Sequence, residues 1–434
     1  MSIVGSNHGE IVKGATVTRS AIVKDQNGDD RYIVVSADCH AGGDIPDYRP
    51  HLASKWLDDF DAWASTFVNP YEDLEGDLGP RNWDSDRRKG DLNADGVVAE
   101  VIFPNTVPPF YPKSSLASQP PAMTARDAEQ RWAGLQAHNR WLADFCRATP
   151  GQRAGVVQIN LLDLDATVAE IKWAKENGLT GGVLLPGTPP GGDAPQLYED
   201  YYEPLWKICE ELEMPVNHHT GSASPPMGPS DVDAVVFMLE VSWFAHRAFT
   251  HLVIGGALDR HPNMQVVFTE QGTAWVPEEL ARLDFFFDRM AHASGSQEAE
   301  WGRAIVNGLS LKPSEYWARQ CQLGASFIRP NEVGLRHVVG LDSIMWGADY
   351  PHKEASSPYS ELALRLSFAP VPIEETAMML GGNAAALYGF DLDALAPLAA
   401  QFGPKVADVH RPLAVQDIPR EAYKCPAFAP QNAA

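Results

Sequence analysis

The sequence predicts a closed (β/α)8 barrel, the TIM-barrel class of α/β fold, and three observations carry that expectation. Eight short apolar runs alternate with longer helical patterns along the 434 residues. Alternation of this kind, with parallel crossovers, builds a barrel or an open doubly wound sheet. The open sheet requires a GxGxxG phosphate loop after an early strand, and the sequence contains none there.

The eight runs are Tyr32–Asp38, Val97–Phe103, Ala154–Asn160, Gly182–Leu185, Pro215–His219, Gln265–Glu270, Leu323–Ile328 and Ile344–Asp349, the seventh being the weakest. Helical patterns cover Ala125–Thr149, Asp165–Asn177, Tyr202–Glu213, Asp231–Leu258, Pro277–Ala293 and Ile373–Tyr388. Gly178 and Gly389 stand where C-caps belong. The proline-rich stretch Pro104–Met123 has too many breakers for a helix and reads as a long loop after the second strand, on the active-site face. A barrel of this size forms one domain over residues 31–391, with an N-terminal extension at 1–30 and a C-terminal tail at 392–434 that lacks a clear core period.

Composition excludes several classes of function. With 57 acidic against 34 basic residues the net charge is -23, which repels phosphate backbones and anionic lipid, so neither nucleic acid nor a membrane is an expected partner. The five cysteines are odd in number and form no CxxC pair, as expected in a reducing compartment. Residues 1–30 contain no apolar signal core, and a cytoplasmic location is the expectation.

Barrel enzymes keep their chemistry at the C-terminal strand ends. Strand one ends Asp38-Cys39-His40, strand five Asn217-His218-His219, strand six Thr269-Glu270-Gln271, and strand eight Ala348-Asp349-Tyr350-Pro351-His352. Alternation lets Asp38 and His40 point inward together, and likewise Asn217 and His219. Imidazoles and carboxylates converging on one mouth call for a divalent cation, with zinc, iron or manganese suited to such donors. His352 is placed to touch a substrate oxygen or orient a carboxylate. Trp275, Trp346, His246 and His251 read as structural, Arg87-Arg88-Lys89 as a solvated helix face, and Glu100 has no settled direction. Phe110 and Tyr111 would line an apolar entrance if the proline-rich loop folds over the mouth.

SADCH, PVNHHTG, the GGALDRHPNMQVVFTEQGTAWVPEELARLD stretch and MWGADYPH, in that order, resemble the amidohydrolase superfamily. More narrowly they are similar to its amidohydrolase-2 branch, which includes aminocarboxymuconate semialdehyde decarboxylase and resorcylate decarboxylases, and the likeness spans residues 31–391. The resemblance implies metal ligands at Asp38, His40, His219 and Asp349, with Asp38 in place of the first histidine of HxH, as in actinobacterial members. His218 is a lesser candidate ligand.

The branch's decarboxylases carry a catalytic histidine after strand six, where this chain has Glu270. That departure weakens decarboxylation and favours a metal-dependent hydrolase, with Asp349 or Glu270 as base and attack on a C–N or C–O bond of a small organic substrate. The cofactor expected is zinc, or iron as a mono- or dinuclear centre. The competing expectation is a non-haem di-iron oxygenase in which Glu270 joins the ligand set; a homo-oligomer is expected in either case.

Overall fold

The computed structural model describes residues 21–69, 74, 76–111, 122–188 and 191–428. An N-terminal hairpin pairs β1 (Ile22–Lys24) with β2 (Asp30–Tyr32). Nine further strands follow: β3 (Val35–Ala41), β4 (Ala99–Pro104), β5 (Arg153–Gly155), β6 (Val157–Gln158), β7 (Val183–Leu184), β8 (Val216–His219), β9 (Val266–Thr269), β10 (Cys321–Ser326) and β11 (Ile344–Gly347). All of these pair in parallel, β3-β4-β5 on one arc and β6 through β11 on the other.

Two junctions close the ring. Val156 sits between β5 and β6, its amide donating to Ile102 O at 2.9 Å while that of Val157 donates to Gly182 O at 2.8 Å, so one interrupted strand joins both arcs. On the other side Asp349 N donates to Asp38 O at 2.8 Å and His40 N to Tyr350 O at 2.7 Å. With β5 and β6 taken as one, eight staves form the predicted (β/α)8 barrel. Each coincides with one of the eight apolar runs, because β-branched residues buried on both faces mark parallel strands directly.

The helices depart from expectation at three places. The pattern Asp231–Leu258 divides into Asp231–Ile254 and Ala257–Arg260 at Gly256, whose φ of +77° breaks the helix. Ile373–Tyr388 contains a π turn at Met378–Gly382; there Gly381 lies against the backbone, and a Cβ on it would stand 2.1 Å from Ile33 O. The tail is also more regular than its composition suggests, since Asp391 caps a helix at Leu392–Phe402 with Leu395 and Ala399 buried. The segment after it secures the hairpin, Pro404 O accepting from Tyr32 N at 3.0 Å and Gly403 O from Arg31 Nη1 at 2.6 Å.

Of the proline-rich loop, residues 112–121 lie outside the described residues. Phe110 and Tyr111 are buried: Phe110 packs on Trp56, Phe60 and Trp63, and Tyr111 joins Val107 and Leu135. They therefore anchor the loop's base by apolar packing. Among the described residues no helix is long and apolar enough to cross a membrane.

Candidate metal centre

β3 delivers Asp38 and His40, β8 delivers His219, and the turns after β9 and β11 deliver Glu270, Asp349 and His352. Strain gathers at this rim. Glu270 and Asp349 have φ of +56° and +58°, in the left-handed region that residues other than glycine seldom occupy, and Phe110, Ala223 and Phe327 on neighbouring strand-end loops share it. Such conformations cost on the order of 1–3 kcal/mol each and persist where the surroundings enforce them.

The side chains converge. His40 Nε2 lies 3.3 Å from Asp38 Oδ1 and 3.3 Å from Asp349 Oδ1, and His219 Nε2 lies 3.4 Å from Asp38 Oδ1 and 3.7 Å from Glu270 Oε2. His352 Nδ1 approaches Asp349 Oδ1 at 2.9 Å. Asp38 is steadied by Ser326 at the end of β10, whose hydroxyl donates to Oδ2 at 2.6 Å. This close approach needs Gly347, because a Cβ there would lie 2.6 Å from Ser326 Oγ and 2.7 Å from Asp38 Cβ.

Orphaned atoms in this cluster are what a cation requires. Asp38 Oδ1, Asp349 Oδ2, His40 Nε2 and His219 Nε2 are buried without a hydrogen-bond partner. Each imidazole uses its other nitrogen on a carbonyl, His40 Nδ1 on Pro104 O at 3.2 Å and His219 Nδ1 on Thr220 O at 3.0 Å. A carbonyl only accepts, so Nδ1 carries the proton and Nε2 presents a lone pair inward, the tautomer a metal ligand needs. The donor atoms of Asp38, His40 and His219 fall within 4.8 Å of one another, as do those of His40, Asp349 and His352, and those of Glu270, Asp349 and Glu354.

Burial divides the group in two. Asp38, His40 and Asp349 side chains have 0% exposure and His219 4%, whereas Glu270 retains 16% and His352 17%, so only the latter two can meet a substrate directly. Burial opposes ionisation of Asp38, yet His219 and His40 hold its carboxyl below the usual carboxylate range. Burial likewise opposes the charge on Asp349, which His352 and His40 overcome to keep it low. Glu270 goes the other way: burial, reinforced by the Asp349 charge, pushes its carboxyl well above the ordinary value. Burial disfavours the His352 cation, but Asp349 and Glu270 raise its pKa to about 10.

His218 does not join the cluster. Alternation along β8 turns it away from His219, its Nδ1 meets Leu185 O at 3.0 Å, its ring lies near Phe268, and burial lowers its pKa to about 3. Asn217 points inward below the cluster, its Oδ1 accepting from Tyr388 at 2.8 Å. His246 stacks on Trp275 and His251 packs on Tyr198, structural roles both.

Three neighbours that contact the cluster carry no signal in the sequence. Ser326 is the last residue of β10, whose apolar run in the sequence extends two residues further, to Ile328. Asn105, in the proline-rich loop, accepts from His352 Nε2 at 3.1 Å and donates to Asn82 Oδ1 at 2.7 Å. Arg88, expected on a solvated face, is fully buried. Its Nε donates to Glu100 Oε1 at 2.9 Å, its Nη2 to Oε2 at 2.6 Å, and its Nη1 to His40 O at 2.7 Å. Glu100 thus faces Arg88 and Arg153, not the mouth.

A sequence model of the amidohydrolase family matches residues 60–390. The chain belongs to the amidohydrolase family. Among solved structures, this amidohydrolase is similar to 5-carboxyvanillate decarboxylase from Sphingomonas paucimobilis, at 18% identity and TM-score 0.59 over 83% of this chain and 99% of that one. An amidohydrolase from Mycobacterium avium subsp. paratuberculosis K-10 is similar at 18% identity and TM-score 0.59, over 82% and 99%. A dihydroxybenzoic acid decarboxylase from Polaromonas sp. JS666, with bound manganese and the inhibitor 2-nitroresorcinol, follows at 16% identity and TM-score 0.55, over 82% and 97%. At these identities the likeness establishes the fold. Family and donor set together support an enzyme that uses a divalent metal.

Proposed function

We propose that this amidohydrolase is a metal-dependent decarboxylase of small hydroxylated aromatic acids, with Asp38, His40, His219 and Asp349 holding one divalent cation. The observation that carries the reading is the position of Glu270, a carboxyl that stays 16% exposed at the rim of the buried cluster, 3.7 Å from His219, where burial and Asp349 raise its hold on a proton. The chain lacks an imidazole after strand six, but a neutral carboxyl there is itself a proton donor. The known decarboxylases of similar fold add to this reading. Hydrolysis, the first expectation, is less well supported: it needs a free base, whereas burial and Asp349 raise the Glu270 carboxyl above its ordinary value and Asp349 is engaged by His352.

A divalent cation at this position supplies Lewis-acid charge that polarises substrate oxygens. His352, held as a cation between Asp349 and Asn105, binds an anionic substrate oxygen at a mouth otherwise lined with carboxylates. The bond between ring carbon and carboxyl breaks, its electron pair stays on the ring carbon, and the Glu270 proton fills that valence as carbon dioxide leaves. Solvent then reprotonates Glu270. Manganese suits these donors as well as zinc or iron and is the metal for a first test.

The test uses manganese-loaded protein and a panel of hydroxybenzoic acids labelled with 13C in the carboxyl group. Release of labelled carbon dioxide without oxygen uptake is the expected result. Glu270→Gln, which keeps shape but cannot act as an acid, should lower turnover by about 10²–10⁴-fold with unchanged metal content. Unaltered turnover in that variant would remove the proposed role.

A second reading rests on the convergence of Glu270, Asp349 and Glu354, which offers a place for a second cation. It makes the protein a di-iron oxygenase, and two irons per chain with oxygen consumption would favour it over decarboxylation.

A further inference from the structure

Glu270 sits in the left-handed region, and a turn of that kind keeps its shape only where its neighbours hold it. Two ties run to strands of the barrel. Glu270 N donates to Gly324 O of β10 at 2.9 Å, and Gln271 Nε2 donates to His218 O of β8 at 2.6 Å. A third comes from a side chain outside the sheet. Thr273 N donates to Glu332 Oε1 at 3.1 Å, and Thr273 Oγ1 donates to Glu332 O at 3.4 Å.

Glu332 lies in the short helix Pro330–Val333 after β10, and its side chain is 4% exposed. Helix capping accounts for one of its oxygens. Oε2 accepts from Arg329 N at 3.2 Å and from Arg329 Nε at 2.8 Å, the reach back to the N-cap amide that glutamate or glutamine makes at this position. Oε1 has no part in the cap and instead crosses to the loop that carries Glu270. Gly272, at φ +66°, admits it, since a Cβ there would stand 2.8 Å from Oε1. A buried carboxylate is tolerated where donors meet it, and the donors gathered on this one belong to two rim loops, after β9 and after β10.

We infer that Glu332 is a positioning residue for this site: its Oε1 clasps the turn after β9 and so keeps the Glu270 carboxyl at the rim, 3.7 Å from His219 Nε2. It acts through the turn, without touching the substrate. The clasp stands on geometry, whereas its effect on turnover rests on the proposed role of Glu270 as proton donor. Proton transfer is sensitive to placement, and a displacement of ~1 Å costs about 10²-fold.

Glu332→Gln separates the clasp from the cap. A side-chain amide has one accepting atom, and with its oxygen on the two Arg329 donors its NH2 faces Thr273 N, donor against donor. In manganese-loaded enzyme turning over the 13C-labelled hydroxybenzoic acids, kcat should fall about 10- to 100-fold while KM and manganese content stay within about threefold of wild type. In the Glu270→Gln background the same substitution should change kcat by less than about twofold, because no proton donor is left to misplace. A loss of about tenfold or more in that background would overturn the inference, by making Glu332 a stabilising residue alone. Crystal structures of wild type and Glu332→Gln read the clasp without any turnover. The Glu270 carboxyl should shift by ~1 Å or more while His219 and Asp349 stay in place. An unmoved Glu270 would overturn the inference whatever the reaction. A displaced Glu270 in a protein that releases no carbon dioxide would support the clasp and remove the decarboxylase reading instead.

Discussion

Replacing Ser326 by alanine removes one hydroxyl from a buried position and tests how the cluster is held. Its hydrogen bond to Asp38 Oδ2 at 2.6 Å pins the carboxylate so that Oδ1 stays 3.3 and 3.4 Å from the two imidazoles. A hydrogen bond to a charged group contributes ~1.5–3 kcal/mol. Since 1.4 kcal/mol is a factor of ten, cation affinity should fall about 10- to 100-fold, the usual effect of losing a partner of a metal ligand. Manganese titration of metal-free protein, followed by electron paramagnetic resonance, reads the affinity directly. Chemical unfolding of the metal-free variant reads the stability separately, and a loss in the same range of ~1.5–3 kcal/mol is expected there. Affinity within twofold of wild type would refute the claim that Ser326 positions a metal ligand.

Two further substitutions probe the surroundings. His218→Gln should leave metal content unchanged, in contrast to His219→Gln, as elemental analysis will show. Burial lowers the folded-state pKa of His218 to about 3, below its unfolded value, so its contribution is present above pH ~6.5 and is lost as pH falls toward 3. Wild-type unfolding free energy should therefore drop between pH 6.5 and 4 more steeply than that of His218→Gln, by ~1.4 kcal/mol per pH unit; equal slopes would contradict the burial argument. Arg88→Met leaves Glu100 with Arg153 alone and takes a donor from the His40 carbonyl. Breaking a buried pair costs ~3–5 kcal/mol, and urea unfolding should show a loss at the lower end of that range.

The barrel was legible because parallel strands buried on both faces announce themselves as apolar runs, and all eight staves fall where such runs do. The convergence of Asp38, His40, His219, Glu270 and Asp349 was legible because polar residues ending those runs have few reasons to be there. Its supports were hidden for identifiable reasons. Ser326 lies in the weakest run, where a two-residue error in the strand end set Ile328 at the rim in its place. Arg88 sits in a charged triplet, and sequence cannot separate a solvated arginine from one that neutralises a buried glutamate twelve residues on. Asn105 is one polar residue in a proline-rich loop, and its partner His352 is brought to it only by barrel closure. His218 and His219 differ in nothing but parity along β8, which the register settles. The upward shift of the Glu270 carboxyl was invisible too, since it arises from burial and from Asp349, remote in sequence.

A manganese-soaked crystal, with anomalous scattering recorded at the manganese edge, tests the central assignment most directly. One strong peak is expected, bounded by Asp38 Oδ1, His40 Nε2, His219 Nε2 and Asp349, with Glu270 at its rim and His218 remote. A peak at His218, or none within the barrel mouth at saturating manganese, would contradict it.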